Sequence, residues 1–328
     1  MIARILACLC QAAEGDASMP RYKLIVNPAS GAGTGGRSIP KIEGLMKASG
    51  LSYNMVRTER RGHAIDLARE AALAGYDVVV ACGGDGTSNE VINGLKQAQV
   101  LGHSASLGVL CVGRGNDFAF AVGIPIDLQA GVAALVANAR RTIDLGRVTG
   151  GVFPDGRYFG SCVGVGFDAV TTIEVSKMPR WGGFLSFFAA VLKTIFLYPY
   201  GPTVRLDVDG RTLTLPTLMV SIMNGRRLGG GFWMAPTAEP DDGLFDVCVA
   251  HQASRRRILA LIPHFMKGTQ PTQPEIQMLQ GRTIVIDALK GVLPAQTDGE
   301  IISTEGKRLD IEMLPGALQV VSPAAGAR

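Results

Sequence analysis

Apolar residues along roughly the first 145 positions fall into two alternating rhythms. Short runs at Tyr22–Val26, 78–82 and 107–112 predict strands. The middle one is wholly apolar and rich in β-branched residues, as in a strand buried on both faces. Residues 38–48 predict a helix and residues 52–58 a further strand. Ala64, Leu67, Ala68 and Ala71 then fall on one helical face at i, i+3, i+4 and i+7. Alternating β and α elements imply a parallel, doubly wound sheet. Its loops gather at the strands' carboxyl ends, where such folds bind ligands.

Beyond about residue 145 the rhythm changes to period two. Val204, Leu206 and Val208 alternate up to Asp209-Gly210, and Leu213 and Leu215 return, as in a hairpin. Runs at 217–223, 244–250, 283–288 and 309–313 continue the pattern, so the second domain is predicted to be mainly antiparallel β. The expected plan is an α/β nucleotide-binding domain over 19–145 and a β-rich acceptor domain over 146–306. Residues 307–328 pack back on the first domain, and residues 1–18 form an extension. Residues 181–198 interrupt the pattern with an almost unbroken apolar segment. Gly182, Gly183 and Lys193 argue for a helix docked on the domain or lying on a membrane face, rather than a span.

The wholly apolar run stops at Gly83-Gly84-Asp85-Gly86-Thr87. The glycines let backbone amides approach an anion, and Thr87 with Glu90 matches a helix-opening capping box. A strand, a glycine turn and a helix N-terminus together favour phosphate, because the first-turn amides and the helix dipole attract negative charge. Asp85 adds a carboxylate where Mg²⁺ or its water would sit. Asp-Gly also occurs at 155, 209, 242 and 298, so the dipeptide alone signals only a turn; the whole string carries the inference. No G-x-x-x-x-G-K-[ST] loop occurs.

Composition narrows the classes. At 328 residues the chain holds two domains, and its net charge of +4 is spread without a Lys/Arg block interleaved with aromatics. Nucleic acid is therefore not expected as a partner, while an anionic membrane surface fits. The six cysteines show no metal-ligand spacing and read as free thiols in a reducing compartment; four scattered histidines make a zinc site unlikely to form.

Asn27-Pro28-Ala29-Ser30-Gly31, Thr58 with His63-Ala64, the GGDGT string with Asn89-Glu90, and Gly115-Asn116-Asp117-Phe118-Ala119 resemble the diacylglycerol kinase catalytic-domain family. Asn224-Gly225, Gly229-Gly230-Gly231, Ala235-Pro236, Asp241-Asp242-Gly243-Leu244 and Asp298-Gly299-Glu300 follow in the order found in that family's bacterial lipid kinases. The resemblance runs from residue 19 to about residue 321, and the later motifs make it specific, since NAD kinases share GGDGT. It implies ATP bracketed by Asn27 to Gly31 and by Gly83, Gly84, Asp85, Gly86 and Thr87, with Thr58, Asn89 and Asn116 in the nucleotide set. Glu90 is divided between a nucleotide contact and capping its own helix. Arg114 stands where the family usually has Thr, and a guanidinium there suits a phosphate.

The resemblance further implies that Asp85 holds the catalytic Mg²⁺ and that Glu300 is the catalytic base, with Asp298 sharing the proton work or the metal. Glu239, Asp242 and Leu244 match positions that bind a second, structural Mg²⁺, partly through backbone carbonyls. The implied partner is a membrane lipid, diacylglycerol by default. It would be met peripherally at the cytoplasmic face of the membrane by residues 181–198 with Lys177, Arg180 and Lys193; a homodimer is allowed for. Two other readings stand beside this one. A NAD kinase shares GGDGT but not the DGE ending or the Asn-Asp-Phe-Ala run. A non-catalytic nucleotide-binding regulator would be expected to lack one of Asp85, Asp298 and Glu300.

Overall fold

The computed structural model describes residues 20–113, 115–178, 183–198 and 200–323. The first half runs β1 (Tyr22–Val26), α1 (Ser30–Ser49), β2 (Tyr53–Arg57), α2 (His63–Leu73), β3 (Val78–Gly83), α3 (Asp85–Val100), β4 (Ser106–Cys111), α4 (Asp117–Ala121) and α5 (Leu128–Ala137). Strands β2, β1, β3 and β4 lie side by side and parallel. Every residue of β3 is buried, because α2 and α3 cover one face of the sheet and α1 and α5 the other.

The second half comprises β5 (Arg140–Gly150), β6 (Phe153–Phe159), β7 (Cys162–Gly166), α6 (Phe167–Lys177), α7 (Gly183–Leu197), β8 (Thr203–Val208), β9 (Arg211–Met223), β10 (Arg227–Leu228), β11 (Phe232–Trp233), β12 (Phe245–His251), α8 (Arg255–Lys267), β13 (Ile276–Gly281), β14 (Thr283–Lys290), β15 (Leu293–Thr297), β16 (Glu300–Gly306) and β17 (Arg308–Val321). Apart from β10 and β11, which pair only with each other, these strands form two packed sheets. Strand β9 belongs to both: residues 211–216 pair with β8, and residues 217–223 with β7 and β12. The sheets enclose a core containing Phe159, Val163, Val220, Phe245 and Ile284, while α6, α7 and α8 cover a second apolar layer.

Strand β5 crosses the expected boundary at residue 145, and β17 runs along it antiparallel. The end of β17 then meets the first domain, where Val320 pairs in parallel with Leu107 of β4. The two domains thus share a continuous sheet. Within the segment expected to be a docked helix, α7 spans Gly183–Leu197; among the described residues no helix is long and apolar enough to cross a membrane. The extension at 1–18 and Arg180 lie outside the described residues.

Candidate active site at the domain junction

Three glycine-bearing loops meet at the carboxyl ends of β1, β3 and β4. The first follows Asn27, whose Nδ2 donates to Thr87 Oγ1 (3.1 Å) and whose Oδ1 accepts from the Ala29 N–H (3.1 Å). Gly31, Ala32 and Gly33 then take left-handed conformations, so this loop curls before α1 becomes regular. The second begins at Gly84, the N-cap of α3. The third passes so close to it that a Cβ on Gly113 would lie 2.4 Å from Gly84 Cα, an approach that requires glycine. The loops enclose a cavity of ≈ 410 Å³ lined by Asn27, Ala29, Ser30, Gly31, Gly84, Asp85 and Gly86, among others. A cavity walled by backbone at a helix N-terminus is suited to phosphate. Thr58, just past β2, donates its N–H to the Val26 carbonyl (2.9 Å) but does not line the cavity. Pro28 and Gly83 shape the first two loops without lining the cavity. Asn116, at φ 54, turns its Nδ2 toward Gly113 O (3.4 Å).

Three aspartates converge beside that cavity. Asp85 accepts from the Phe118 N–H (2.9 Å) and sits on the wall shared with a second cavity of ≈ 270 Å³. Its surface is only partly covered, yet the protein around it is close enough that withdrawal from water, then Asp117 and Asp298, push its carboxyl up to about 6. Asp117 is held by Arg227 Nε (2.9 Å) and the Gly230 N–H (2.9 Å); burial still raises its carboxyl above the usual range.

Asp298 opens the turn between β15 and β16, with φ 45 followed by φ 82 at Gly299. The turn is the hairpin that Asp-Gly suggests, but its carboxylate points inward to a cage of four donors. These are Asn89 Nδ2 (2.9 Å) and the backbone N–H groups of Gly160 (2.9 Å), Ser161 (3.1 Å) and Cys162 (2.9 Å). Burial raises its carboxyl, and these donors oppose the shift. Glu300, two residues on, pairs with Arg61 Nη2 (3.2 Å) and Arg157 Nη2 (2.8 Å).

Phe187 and Leu228 line both the second cavity and a narrow apolar one (≈ 60 Å³) between α6, α7, α8 and the sheet. Its one acid is Asp168, buried, accepting from Ser221 Oγ (2.8 Å) at Oδ2 while Oδ1 has no partner. Burial pushes this carboxyl up to about 7. Because the folded value lies above the unfolded one, ionisation costs nothing below pH 4, progressively more between pH 4 and 7, and a constant amount above. Asp168→Asn keeps an acceptor for Ser221, so it should stabilise the fold at pH 8 by at most about 4 kcal/mol, raising the unfolding midpoint there, and leave it nearly unchanged at pH 4. Thermal melts at the two pH values check this; an equal shift at both would refute it.

Several expectations need correction. Thr87 does not cap α3, which begins two residues earlier at Asp85; Thr87 is buried behind the loop and receives Asn27 instead. Glu90 does not cap its own helix: its carboxylate accepts the Gly62 (2.9 Å) and Ala64 (3.1 Å) N–H groups at the start of α2. Asn89 is buried and donates to Asp298; it does not line the glycine-walled cavity. At Glu239, Asp242 and Leu244, where the expected metal would bind partly through backbone carbonyls, the two acidic side chains have partners of their own. Glu239 is paired with Arg226, Asp242 Oδ1 accepts the Leu244 N–H (2.9 Å), and among the described residues no three His, Cys, Asp or Glu side chains are placed to hold a metal. Lys177 (2.7 Å) and Lys193 (2.6 Å) both pair with Glu174, which reduces what they offer a membrane. Arg114 lies outside the described residues. Arg61, Arg157, Arg227 and Asp168 were not anticipated; each is a lone residue whose role depends on which chain segment the fold brings to it.

Residues 21–148 match the family model described as the diacylglycerol kinase catalytic domain, and residues 161–322 match the YegS C-terminal NAD kinase beta sandwich-like domain. A diacylglycerol kinase of Bacillus subtilis (strain 168) is 31% identical over 254 residues, covering 76% of this chain and 80% of that one. The chain belongs to the diacylglycerol kinase catalytic-domain family. A Pseudomonas aeruginosa protein named "Probable lipid kinase YegS-like" is 32% identical over 264 residues, covering 80% of this chain and 82% of its own. The solved structure of a diacylglycerol kinase from Bacillus anthracis str. Sterne superposes with a TM-score of 0.72 at 22% identity, over 94% of this chain and 99% of that one; it shares the fold. The protein is thus a lipid kinase, with ATP the substrate its family implies. The resemblance carried by the motifs holds, as does the architecture of an α/β domain followed by an antiparallel β domain.

Proposed function

We propose that this lipid kinase transfers the γ-phosphate of ATP to the free hydroxyl of diacylglycerol, giving phosphatidic acid. The observation that carries the reading is the adjacency of three cavities of different character. The glycine-walled cavity shares Asp85 with the carboxylate-lined one, and that cavity shares Phe187 and Leu228 with the apolar one. A nucleotide, an alcohol and a hydrocarbon tail therefore have places in line. In the transfer, the hydroxyl oxygen bonds to the γ-phosphorus as the bond to the β–γ bridging oxygen breaks. ADP leaves, and Glu300 takes the hydroxyl proton.

Mg²⁺ fits Asp85. This ion is usually held by one or two carboxylates completed by phosphate oxygens and water, so a cluster of three protein acids is not needed. It would neutralise phosphate charge when bound. An NAD acceptor is disfavoured by the third cavity, whose lining is apolar apart from Asp168 and Thr171. Peripheral membrane contact is supported by Phe196 (65% exposed), Leu197, Tyr200 (80% exposed) and Leu185, which lie on α7 or just beyond it, beside exposed Arg255 and Arg256.

The test is transfer of labelled γ-phosphate, with Mg²⁺, into diacylglycerol, a sphingoid base and phosphatidylglycerol in mixed micelles, and separately into NAD. Label in diacylglycerol that falls at least about a hundredfold with Glu300→Gln is the expected result. Label confined to another lipid would replace the acceptor, and label in NAD would overturn the lipid assignment of the cleft.

A further inference from the structure

We propose that Arg157, assisted by Arg61, is the receptor for the terminal phosphate of the nucleotide, and that Glu300 occupies these guanidiniums until the phosphate displaces it. The inference rests on reading the glycine-walled cavity as the ATP site. Arg157 is carried on β6, which α3 fixes in place. Asn89 (3.0 Å) and Asn93 (2.9 Å) donate through Nδ2 to the Tyr158 carbonyl, and the Tyr158 N–H donates back to Asn93 Oδ1 (3.1 Å). This clamp sets the neighbouring Arg157 against a void of ≈ 80 Å³ bounded by Gly86, Asn89, Asp298, Gly299 and Glu300. Gly86, in the first turn of α3, also lines the nucleotide cavity, so the void is where that cavity would receive a distal anion.

The pairing of Arg157 with Glu300 is unsettled in a way that suits exchange. The side chain of Arg157 is only 10% exposed, its Nη2 lies 2.8 Å from Glu300 Oε2, and yet Arg157 Nε and Glu300 Oε2 each lack a hydrogen-bond partner. A buried guanidinium whose N–H groups are not all spent favours a ligand that can engage several of them, and a phosphate does this better than one misaligned carboxylate oxygen. Arg61 (76% exposed) adds a screened, weaker contact to Oε1. The surrounding acids Asp85, Asp298 and Glu90 make a second cation at this spot the more necessary for a polyphosphate. Displaced by the phosphate, Glu300 becomes available to the acceptor hydroxyl only once the donor is in place.

Calorimetric titration of the full chain with Mg²⁺ and either ADP or the non-hydrolysable β,γ-imido analogue of ATP tests this. Arg157→Lys should leave ADP affinity within about twofold and weaken the analogue about tenfold or more, with Arg61→Ala moving the same way by less. Glu300→Gln should move the analogue in the opposite direction, tightening it about threefold or more by removing the competitor. Equal losses for both nucleotides in Arg157→Lys, or weaker analogue binding in Glu300→Gln, would mean a merely structural ion pair and overturn the proposal. Failure of the unsubstituted chain to bind either nucleotide would instead overturn the ATP site and the proposal with it.

Discussion

Asp85→Asn is expected to lower turnover at least about a thousandfold while raising the unfolding midpoint of the metal-free protein at pH 8. Asp85 is the one carboxylate common to the nucleotide and acceptor cavities, and asparagine supplies no charge for Mg²⁺ or for the reacting phosphate. The stability gain follows from the same burial. With the carboxyl at about 6 in the fold and 3.8 as the ordinary value, ionisation is disfavoured by the folded state above pH 4, by up to about 3 kcal/mol above pH 6. Asparagine keeps an acceptor for the Phe118 N–H, so only the charge is removed. Steady-state kinetics with melts at pH 4 and pH 8 read both effects. Retained turnover, or a gain that persists at pH 4, would refute the assignment.

At Asp298 the same substitution should do the reverse to stability. Each carboxylate oxygen serves two donors, with Ser161 and Cys162 on Oδ1 and Asn89 and Gly160 on Oδ2. An amide must place its NH₂ against one of these pairs, leaving two buried N–H groups facing a donor. Unmet buried donors cost about 1–3 kcal/mol each, so a loss of about 3–5 kcal/mol and a midpoint lower by roughly 10 °C are expected, with activity falling as the cage opens. Differential scanning calorimetry of Asp298→Asn beside Asp85→Asn checks it. If the two variants melt alike, the cage is not what holds the turn.

The contrast shows what was legible in the chain and what was not. Strands β1, β3 and β4 and helix α2 were readable because both faces of a parallel sheet are covered, which forces local apolar runs. The glycine loops were readable because close backbone approach admits few other residues. Helix α8 carries Ile258, Leu261, Ile262 and Phe265 at helical spacing, but Pro263 within it reads as a breaker. Strand β9 reads as two because Pro216 marks the point where it passes from one sheet to the other. Asp209-Gly210 and Asp298-Gly299 have the same left-handed turn, yet Asp209 closes over the Arg282 and Thr283 N–H groups of a neighbouring strand while Asp298 enters the cleft. Nothing local separates them; the difference lies in which distant amides the fold presents. For the same reason Glu90 could not be seen to cap a neighbouring helix, nor Arg157 to sit under the first turn of α3.

The shared strand β17 has a consequence for how such a kinase comes into being. The first domain occupies residues 21–148 as a family match, but its sheet acquires its edge partner for β4 only from Val320, and Ser322 Oγ then donates to the Val122 carbonyl (2.6 Å). During synthesis, the nucleotide-binding half must wait with that edge of its sheet unpaired until residue 320 has left the ribosome. Its completion depends on contacts between residues 200 or more positions apart in the chain, which are slow to form. A fragment cut at the domain boundary would be the same waiting intermediate made permanent, exposing a strand edge that invites self-association.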